Sequence, residues 1–284
     1  MTQYDDIKEK IRKSYSTLPK NHKKIADFFV ENFDRVPFLN VQEMAKSTSS
    51  SVASIVRFAQ RTGFEGFKEL QDEIGKTLQN RLKQPDVFTI SSTEALRNDV
   101  LTLIARQDVK NINDTLSLIK RDVFDKSIET ILKAKHVYTA GLGISFLLAE
   151  VLSYQLNQVG VSSTSLRQGS TNFAEQVLYF HPHDALIVLS FQPYSQETID
   201  AARIAFEKGI KVIAITNKEN APATFFADSS LLVKSENMLY TNSFAAISVL
   251  INALSTQCAL KDKSRAEKML TELDVIMKQT TIQH

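Results

Sequence analysis

The stretch from Val137 to Phe146 constrains the fold of this chain most strongly. A short β-prone run, Val137–Ala140, leads into Gly141-Leu142-Gly143-Ile144-Ser145, and apolar residues at helical spacing follow. Glycines permit a tight turn and a close approach of the backbone to a ligand, and the N-terminus of the next helix offers unpaired N–H groups to an anion. Many strand-to-helix turns carry Gly-x-Gly for packing alone. The stretch therefore predicts a strand-turn-helix unit, with phosphate binding at the turn as one interpretation.

From residue 136 onward, short apolar runs alternate with helical segments. Strands are predicted at residues 136–140, 161–166, 184–190, 210–216 and 229–233. Helices are predicted at residues 145–158, 171–179, 196–208, 221–227, 242–260 and 264–279. This alternation is typical of an α/β domain with a doubly wound, parallel sheet of about five strands, helices on both faces, and ligands at the carboxyl ends of the strands.

The first part of the chain has a different pattern. Over residues 1–83, apolar residues recur three and four apart without the alternation of a β-strand, which predicts an all-α domain. Gln84-Pro85-Asp86 interrupts this pattern, and helical spacing returns between Thr93 and Lys120. We therefore expect a helical domain at 1–83, a linker and connecting helix at 84–123, and the α/β domain with its C-terminal helices at 124–284.

Composition narrows the class of protein. Hydrophobic residues make up 43% of the chain and charged residues 23%, as in ordinary globular proteins. We expect no membrane span and no signal peptide, because no apolar run reaches about 18 residues, and we expect a cytoplasmic protein. Cys258 is the single cysteine, which excludes an intrachain disulfide and a cysteine-based metal cage. The pair of His181 and His183 is more typical of a surface turn than of a metal site, since no acidic cluster accompanies it. We expect no cofactor.

The charge is unevenly distributed. Residues 1–83 carry 15 basic and 11 acidic residues, a net charge of +4, whereas the rest of the chain carries 19 and 21, a net charge of −2. A modestly basic first domain is compatible with DNA binding but does not establish it.

Residues Val41 to Gly63 fit the spacing of a helix-turn-helix. Ala45 is the small inward residue of the first helix, Ser49 takes the turn position that is usually glycine, and Ile55 is the β-branched core residue of the second helix. We expect the outer part of that second helix to enter the DNA major groove and basic residues nearby to contact phosphates. The predicted base-reading residues are Ser51, Val52, Ser54 and Arg57, and the predicted phosphate contacts are Arg61 and Lys68. A plain helical bundle with a solvated Arg57 is the alternative.

This segment resembles the N-terminal domain of the MurR/RpiR family of bacterial transcription regulators. The similarity lies in Ser51-Val52-Ala53-Ser54-Ile55-Val56-Arg57-Phe58 and in Gly63-Phe64-Glu65-Gly66-Phe67-Lys68-Glu69-Leu70. Ser54 stands where the family usually has threonine, and the hydroxyl is retained. The resemblance implies binding to a double-stranded DNA operator.

A second hydroxyl-rich turn follows the predicted strand 184–190. Ser190 lies at the strand end, and Ser195 and Thr198 lie at the start of the next helix, where hydroxyls and free backbone N–H groups suit a phosphate dianion. No lysine or arginine lies in this turn. Simple capping of the helix by Ser195 is the alternative.

The two turns together resemble the SIS (sugar isomerase) domain, which forms the C-terminal half of the MurR/RpiR family. Phe191-Gln192-Pro193-Tyr194 widens the second turn relative to the usual SIS motif. The resemblance implies a sugar-phosphate site. Its residues would be Gly143, Ser145, Ser190, Ser195 and Thr198, with Tyr194 as a lid or sugar contact.

These features favour a ligand-responsive transcription regulator that assembles as a homodimer or homotetramer. An aldose–ketose phosphate isomerase and a phosphosugar-binding scaffold remain as alternatives. An isomerase needs a carboxylate or histidine base; Glu175 and Glu236 are the acids to examine, although neither lies in a catalytic motif. Gln168, Gly169 and Ser170 have a weaker claim to line the sugar side of the pocket.

Overall fold

The computed structural model describes residues 7, 10–11, 13–33, 35–83, 99–237 and 241–280. The chain divides into two compact units, residues 1–86 and residues 87–284. Each unit has its own apolar core. The predicted linker at residues 84–92 and the predicted start of the connecting helix at 93–98 lie outside the described residues.

The first unit consists of helices. Its helices are α1 (Lys20–Glu31), α2 (Val41–Ser47), α3 (Val52–Arg61) and α4 (Phe67–Lys83), and 3-10 turns span Tyr15–Thr17 and Val36–Phe38. Apolar residues spaced three or four apart place one face of each helix inward. Phe29 of α1 packs against Phe58 of α3, with 5.1 Å between ring centroids, and Ile25 and Ile55 on the same two helices are also fully buried.

Polar contacts set the ends and positions of these helices. Asn40 and Glu43 form a reciprocal capping box at the start of α2. The Gln71 side chain on α4 donates hydrogen bonds to the carbonyl oxygens of Val36, Pro37 and Leu39, at 3.2, 3.1 and 2.6 Å. These bonds hold α4 against the segment that leads into α2.

The second unit is a five-stranded, fully parallel sheet with helices around it. The strands are β1 (Val137–Ala140), β2 (Ser163–Ser165), β3 (Ala185–Leu189), β4 (Lys211–Thr216) and β5 (Ser229–Leu232). The helices are α5 (Val100–Leu118), α6 (Arg121–Lys133), α7 (Ile144–Gln158), α8 (Phe173–Leu178), α9 (Gln196–Glu207), α10 (Ala245–Lys261) and α11 (Lys263–Thr280), with a 3-10 turn at Pro222–Phe226. The strand order is β2-β1-β3-β4-β5. The predicted fold class is therefore confirmed.

Burial follows from this layering. All five residues of β3 are buried, because helices cover both faces of the sheet. Side chains of α6, α7 and α10 join the strands in one apolar core that includes Ile128, Leu152 and Ile251. Within the described residues, no helix is long and apolar enough to span a membrane.

Two elements differ in detail from the sequence-based expectation. The predicted strand 161–166 is reduced to the three residues of β2, an edge strand in which the backbone N–H and C=O of Ser163 hydrogen-bond to the Asn157 side chain, at 2.9 and 2.8 Å. Helix α5, placed by the sequence in a connecting segment, packs against α10 within the second unit.

Candidate functional site

The candidate ligand site lies where the strand order reverses. β1 pairs with β2 on one side and with β3 on the other, and Ala140 of β1 lies opposite Val188 of β3. The loops that begin at Gly141 and Ser190 therefore leave two adjacent parallel strands at the same edge of the sheet. In open α/β sheets, ligands bind in the crevice outside the carboxyl ends of the strands at such a point.

The first loop is shaped by two glycines. A Cβ on Gly141 would lie 2.7 Å from the backbone oxygen of Ser145, closer than any ordinary contact, so a side chain does not fit there. Gly143 has a φ of 61° and directly precedes α7. Ser145 is buried at the start of that helix, and its N–H donates to the carbonyl oxygen of Leu142 at 3.2 Å. The loop thus brings the backbone close to the N-terminus of a four-turn helix.

The second loop carries hydroxyls at the start of α9. The Ser190 N–H donates to the carbonyl oxygen of Ile215 on β4 at 3.0 Å, which continues the sheet by one residue. The Ser195 hydroxyl accepts a 3.3 Å hydrogen bond from the backbone N–H of Thr198 and caps the helix, as the alternative interpretation expected. Tyr194, immediately before it, is half-buried.

Several buried hydroxyl oxygens of the second unit make no hydrogen bond to any other described residue, and three of them lie near the ends of β3 and β4 and the start of α9. These three belong to Ser190, Thr198 and Thr216, whose residues are only 3%, 1% and 0% exposed. A buried hydroxyl without a partner costs about 1–3 kcal/mol, so each such group in a native protein calls for an explanation, of which a bound ligand or ion is one. These oxygens are suited to hydrogen-bond with the oxygens of a phosphate group.

The six predicted sugar-phosphate residues are thus distributed over two loops and the helices that follow them, at one sheet edge. Gly143 lies on the first loop and Ser145 in the first turn of α7, whereas Ser190, Tyr194 and Ser195 lie on the second loop and Thr198 in the first turn of α9. Thr216, at the end of β4, was not predicted. Its position could have been suggested only by its place at the end of a strand next to Ser190.

Glu197 is a second residue that sequence reasoning missed. Its carboxylate accepts hydrogen bonds from the Gln168 side chain at 2.7 Å and from the backbone N–H of Phe173 at 3.0 Å. These bonds join the segment after β2 to the start of α9. Gln168 is exposed beside this carboxylate, on the segment that was considered for the sugar side of the pocket.

The two acids considered for catalysis have other partners. Glu175 forms a reciprocal capping box with Asn172 at the start of α8, at 3.1 and 2.9 Å. The Glu236 carboxylate lies 3.9 Å from the Lys110 ammonium of α5. His181 and His183 are exposed, and the described residues contain no group of three or more His, Cys, Asp or Glu that could hold a metal ion.

The candidate DNA-reading element consists of α2, a tight turn and α3. Ser49 in the turn has a φ of 49°, a left-handed conformation that the sequence anticipated at this position. Ser51 caps α3: its hydroxyl accepts from the Ser54 N–H at 3.2 Å and lies 2.9 Å from the Ser54 hydroxyl. Ala45 and Ile55 are buried between the two helices. The spacing of a helix-turn-helix is therefore present.

The outer face of α3 carries most of the predicted DNA contacts. Val52, Arg57 and Arg61 are exposed, whereas Ile55 and Phe58 face the core. Lys68, on α4, lies 2.9 Å from Asp72 with both side chains at least half exposed. Such a surface pair is worth little, so a DNA phosphate can replace the carboxylate.

His22 lies beneath this face. Its ring contacts Phe58 edge-on, with 6.2 Å between ring centroids. Burial lowers the pKa of His22, and the charges of Arg61 and Arg57 lower it further. The imidazole is therefore neutral near pH 7, and it adds no charge of its own below the exposed arginines.

Comparison with known proteins covers both units. Residues 5–81 match the family described as helix-turn-helix domain, rpiR family, and residues 130–257 match the SIS domain. An uncharacterized HTH-type transcriptional regulator of Haemophilus influenzae is 29% identical over 237 residues, covering 82% of this chain and 81% of the relative.

Two solved structures have similar folds. The sugar isomerase domain of an RpiR transcription factor from Sphaerobacter thermophilus is 26% identical, with a TM-score of 0.60 over 62% of this chain and 99% of that domain. The Vibrio vulnificus NanR protein, solved in complex with ManNAc-6P, is 20% identical, with a TM-score of 0.64 over 98% of this chain and 100% of NanR. The second similarity spans both units.

Proposed function

This chain belongs to the RpiR family of helix-turn-helix transcriptional regulators and carries a SIS domain, and from that premise we propose that a phosphorylated sugar controls its binding to operator DNA. The sugar phosphate occupies the crevice between the loops after β1 and β3. The outer face of α3 reads the operator, with Ser51, Val52, Ser54 and Arg57 at the bases and Arg61 and Lys68 at phosphates.

One observation supports the proposal that a phosphorylated sugar binds in this crevice. Two helix N-termini and the buried hydroxyls of Ser190 and Thr198 lie at one edge of the sheet, without a partner for either hydroxyl among the described residues. Backbone N–H groups and helix dipoles stabilise an anion there, since helix N-termini carry partial positive charge. A phosphate dianion supplies acceptor oxygens for both hydroxyl groups, so binding removes a cost already present in the folded protein.

A solved structure supports the class of ligand. NanR, which has a similar fold over 98% of this chain, was solved in complex with ManNAc-6P, a phosphorylated amino sugar. At 20% identity this similarity concerns the fold alone. The choice among amino-sugar, hexose and pentose phosphates is therefore left to experiment.

The DNA half of the proposal requires an assembly of more than one chain. Helix-turn-helix proteins bind paired half-sites spaced by about one turn of DNA, roughly 34–36 Å. Exposed apolar side chains on α5 and α10, among them Leu101, Leu116 and Leu260, support a homodimer or homotetramer. Operator binding also places the protein in the cytoplasm, the compartment that holds bacterial DNA.

The contacts of the acids favour a regulator over an isomerase. Glu175 is engaged in helix capping, and the Haemophilus influenzae relative, which is matched over 81% of its length, is described as a transcriptional regulator. Catalytic turnover of an aldose phosphate by the wild-type protein would favour the enzyme instead.

The ligand half is tested by thermal melting against a panel of pentose, hexose and N-acetylhexosamine phosphates and their unphosphorylated parents. One phosphosugar should raise the melting temperature by several degrees, since a hundredfold excess over Kd adds about 2.7 kcal/mol of stability. Its parent should not.

Ser190→Ala and Ser264→Ala give a matched pair of variants, because Ser264 is exposed on α11. Ser190→Ala should lose the shift yet melt no lower than wild type without sugar, because it removes an unpartnered buried hydroxyl. Ser264→Ala should retain the shift. A full shift in Ser190→Ala would refute this site.

A further inference from the structure

Helix α5 presents one polar face to a single segment of the second unit. Asp108, Asn111 and Thr115 lie three and four residues apart, which places them on the same side of the helix. All three hydrogen-bond to residues 233–237 and 241–243, which we call the strap. The strap follows β5 and leads into α10.

The contacts between α5 and the strap are direct. The Thr115 hydroxyl accepts from the Lys234 N–H at 2.9 Å, the Asn111 side chain donates to the carbonyl oxygen of Glu236 at 2.8 Å, and the Ser243 hydroxyl donates to the Asp108 carboxylate at 2.6 Å. Two of the three bonds use the strap backbone. They therefore fix the path of the strap, whatever its side chains are.

Most of these groups are shielded from water. Asn111 is 1% exposed and Thr115 4% exposed. Breaking a buried hydrogen bond leaves a polar group unsatisfied, at a cost of about 1–3 kcal/mol. Separation of the strap from α5 therefore costs free energy, which favours movement of the two together.

Near its other end, the strap contacts the second loop of the candidate ligand site. The Asn242 side chain donates to the carbonyl oxygen of Gln192 at 2.8 Å and accepts from the Ser235 hydroxyl at 2.8 Å. Gln192 lies between Ser190 and Ser195 in the second loop. Hydrogen bonds, together with the backbone between neighbouring strap residues, thus connect the second loop of the candidate ligand site to α5.

Helix α5 is also the first described element after the DNA-reading unit along the chain. It begins at Val100, and the first unit ends at residue 86. Along the sequence, α5 therefore directly follows the stretch of chain that connects the two units.

We propose that the strap couples the candidate ligand site to α5 in this regulator. Asn242 contacts the second loop, and Asn111 and Thr115 make the position of α5 depend on that of the strap. This inference rests on the proposed function. When a phosphosugar hydrogen-bonds to the loop that contains Ser190, the backbone at Gln192 is held in one position, and Asn242, the strap and α5 take the matching position. The sugar then favours one of two positions of the strap and α5. Such a preference is required if sugar binding is to change the affinity for DNA.

The test measures coupling separately from binding. The Kd of the full chain for a duplex selected by the wild-type protein from random sequence is measured with and without saturating phosphosugar. The probe is N-acetylmannosamine 6-phosphate, or the panel member that gives a larger thermal shift. Wild type should show a change of at least fivefold, the lower end for allosteric coupling, about 5–150-fold.

The effect of sugar on the Kd for DNA should fall to less than about twofold in each of three variants, Asn111→Ala, Thr115→Val and Asn242→Ala. The first two should still bind sugar with a Kd within about threefold of wild type. Asn113→Ala is the matched control, because Asn113 lies on the exposed side of the same helix. It should respond as wild type does. Thr115→Val keeps the shape of the side chain, so it decides the test if Asn111→Ala does not fold.

Two outcomes contradict the inference in different ways. If Asn111→Ala and Thr115→Val respond to sugar as strongly as wild type, the strap does not carry the coupling, and the proposed function stands. If the wild-type protein binds sugar and DNA but shows no change in DNA affinity, both the inference and the proposed function fail.

Discussion

Gly141 shows how one position decides whether the first ligand loop can form. Its Cα faces the backbone of Ser145, and an added Cβ would lie 2.7 Å from the carbonyl oxygen and 2.8 Å from the carbonyl carbon. Because the obstacle is backbone, no side-chain rotation can relieve it. The glycine is therefore required by packing between the loop and α7, even before any ligand is considered.

Gly141→Ala should displace the start of α7 and lose the thermal shift with phosphosugar, and overpacking of this kind typically destabilises by about 1–3 kcal/mol. Gly66→Ala is the matched control, since Gly66 lies in the first unit, outside the candidate ligand site, and nothing lies within 4 Å of a Cβ there. Melting curves of both variants, with and without sugar, check this. A Gly141→Ala protein with wild-type stability and a full sugar shift would show that the packing is not as tight as described.

At the scale of elements, the turn between α2 and α3 is strained at one residue. Ser49 has a φ of 49°, a region that L-residues other than glycine seldom adopt. The neighbouring hydroxyl groups make hydrogen bonds: that of Thr48 donates to the carbonyl oxygen of Met44 at 2.9 Å, and that of Ser51 caps α3. Ser49 itself makes no hydrogen bond through its side chain to the described residues. Its side chain therefore adds cost to the turn without a visible gain in contacts.

Ser49→Gly should stabilise the first unit by up to about 1 kcal/mol, because glycine adopts a left-handed conformation without a steric penalty. Ser50→Gly, at an ordinary φ, should be neutral or destabilising, since it adds unfolded-state entropy and removes the hydrogen bond from its hydroxyl to Thr48. Hydrogen exchange of the amides of residues 41–63 in the full chain measures both effects. Faster exchange in Ser49→Gly would show that the serine side chain contributes to the turn.

At the scale of the whole molecule, the periodic parts of the structure were predictable from sequence and the polar contacts were not. The alternation after residue 136 predicted five parallel strands, because each strand and each helix repeats its own pattern over several residues. The position of Ser190 after β3 and that of Ser195 before α9 followed from the same pattern.

The remaining features depend on tertiary contacts that leave no period in the sequence. Glu197 bonds to Gln168, 29 residues earlier, and Asn111 bonds to Glu236, 125 residues later. Neither partner could be chosen from the sequence, because both segments lie in loops with polar residues at many positions. The strap was missed for this reason, and β2 was predicted too long because the Val161 N–H donates to the carbonyl oxygen of Leu156 at the end of α7 and not to the sheet.

The most direct test of the central claim is a titration of operator DNA with the full-length protein, with and without the phosphosugar identified by melting. The affinity of wild type should change at least fivefold on addition of sugar. Ser190→Ala should bind the operator without responding to sugar. Arg57→Ala should bind it weakly in both conditions, since a bidentate base contact contributes about 1–3 kcal/mol. An operator affinity that no bound sugar changes, or that survives Arg57→Ala intact, would contradict the proposal that sugar binding controls DNA reading in this chain.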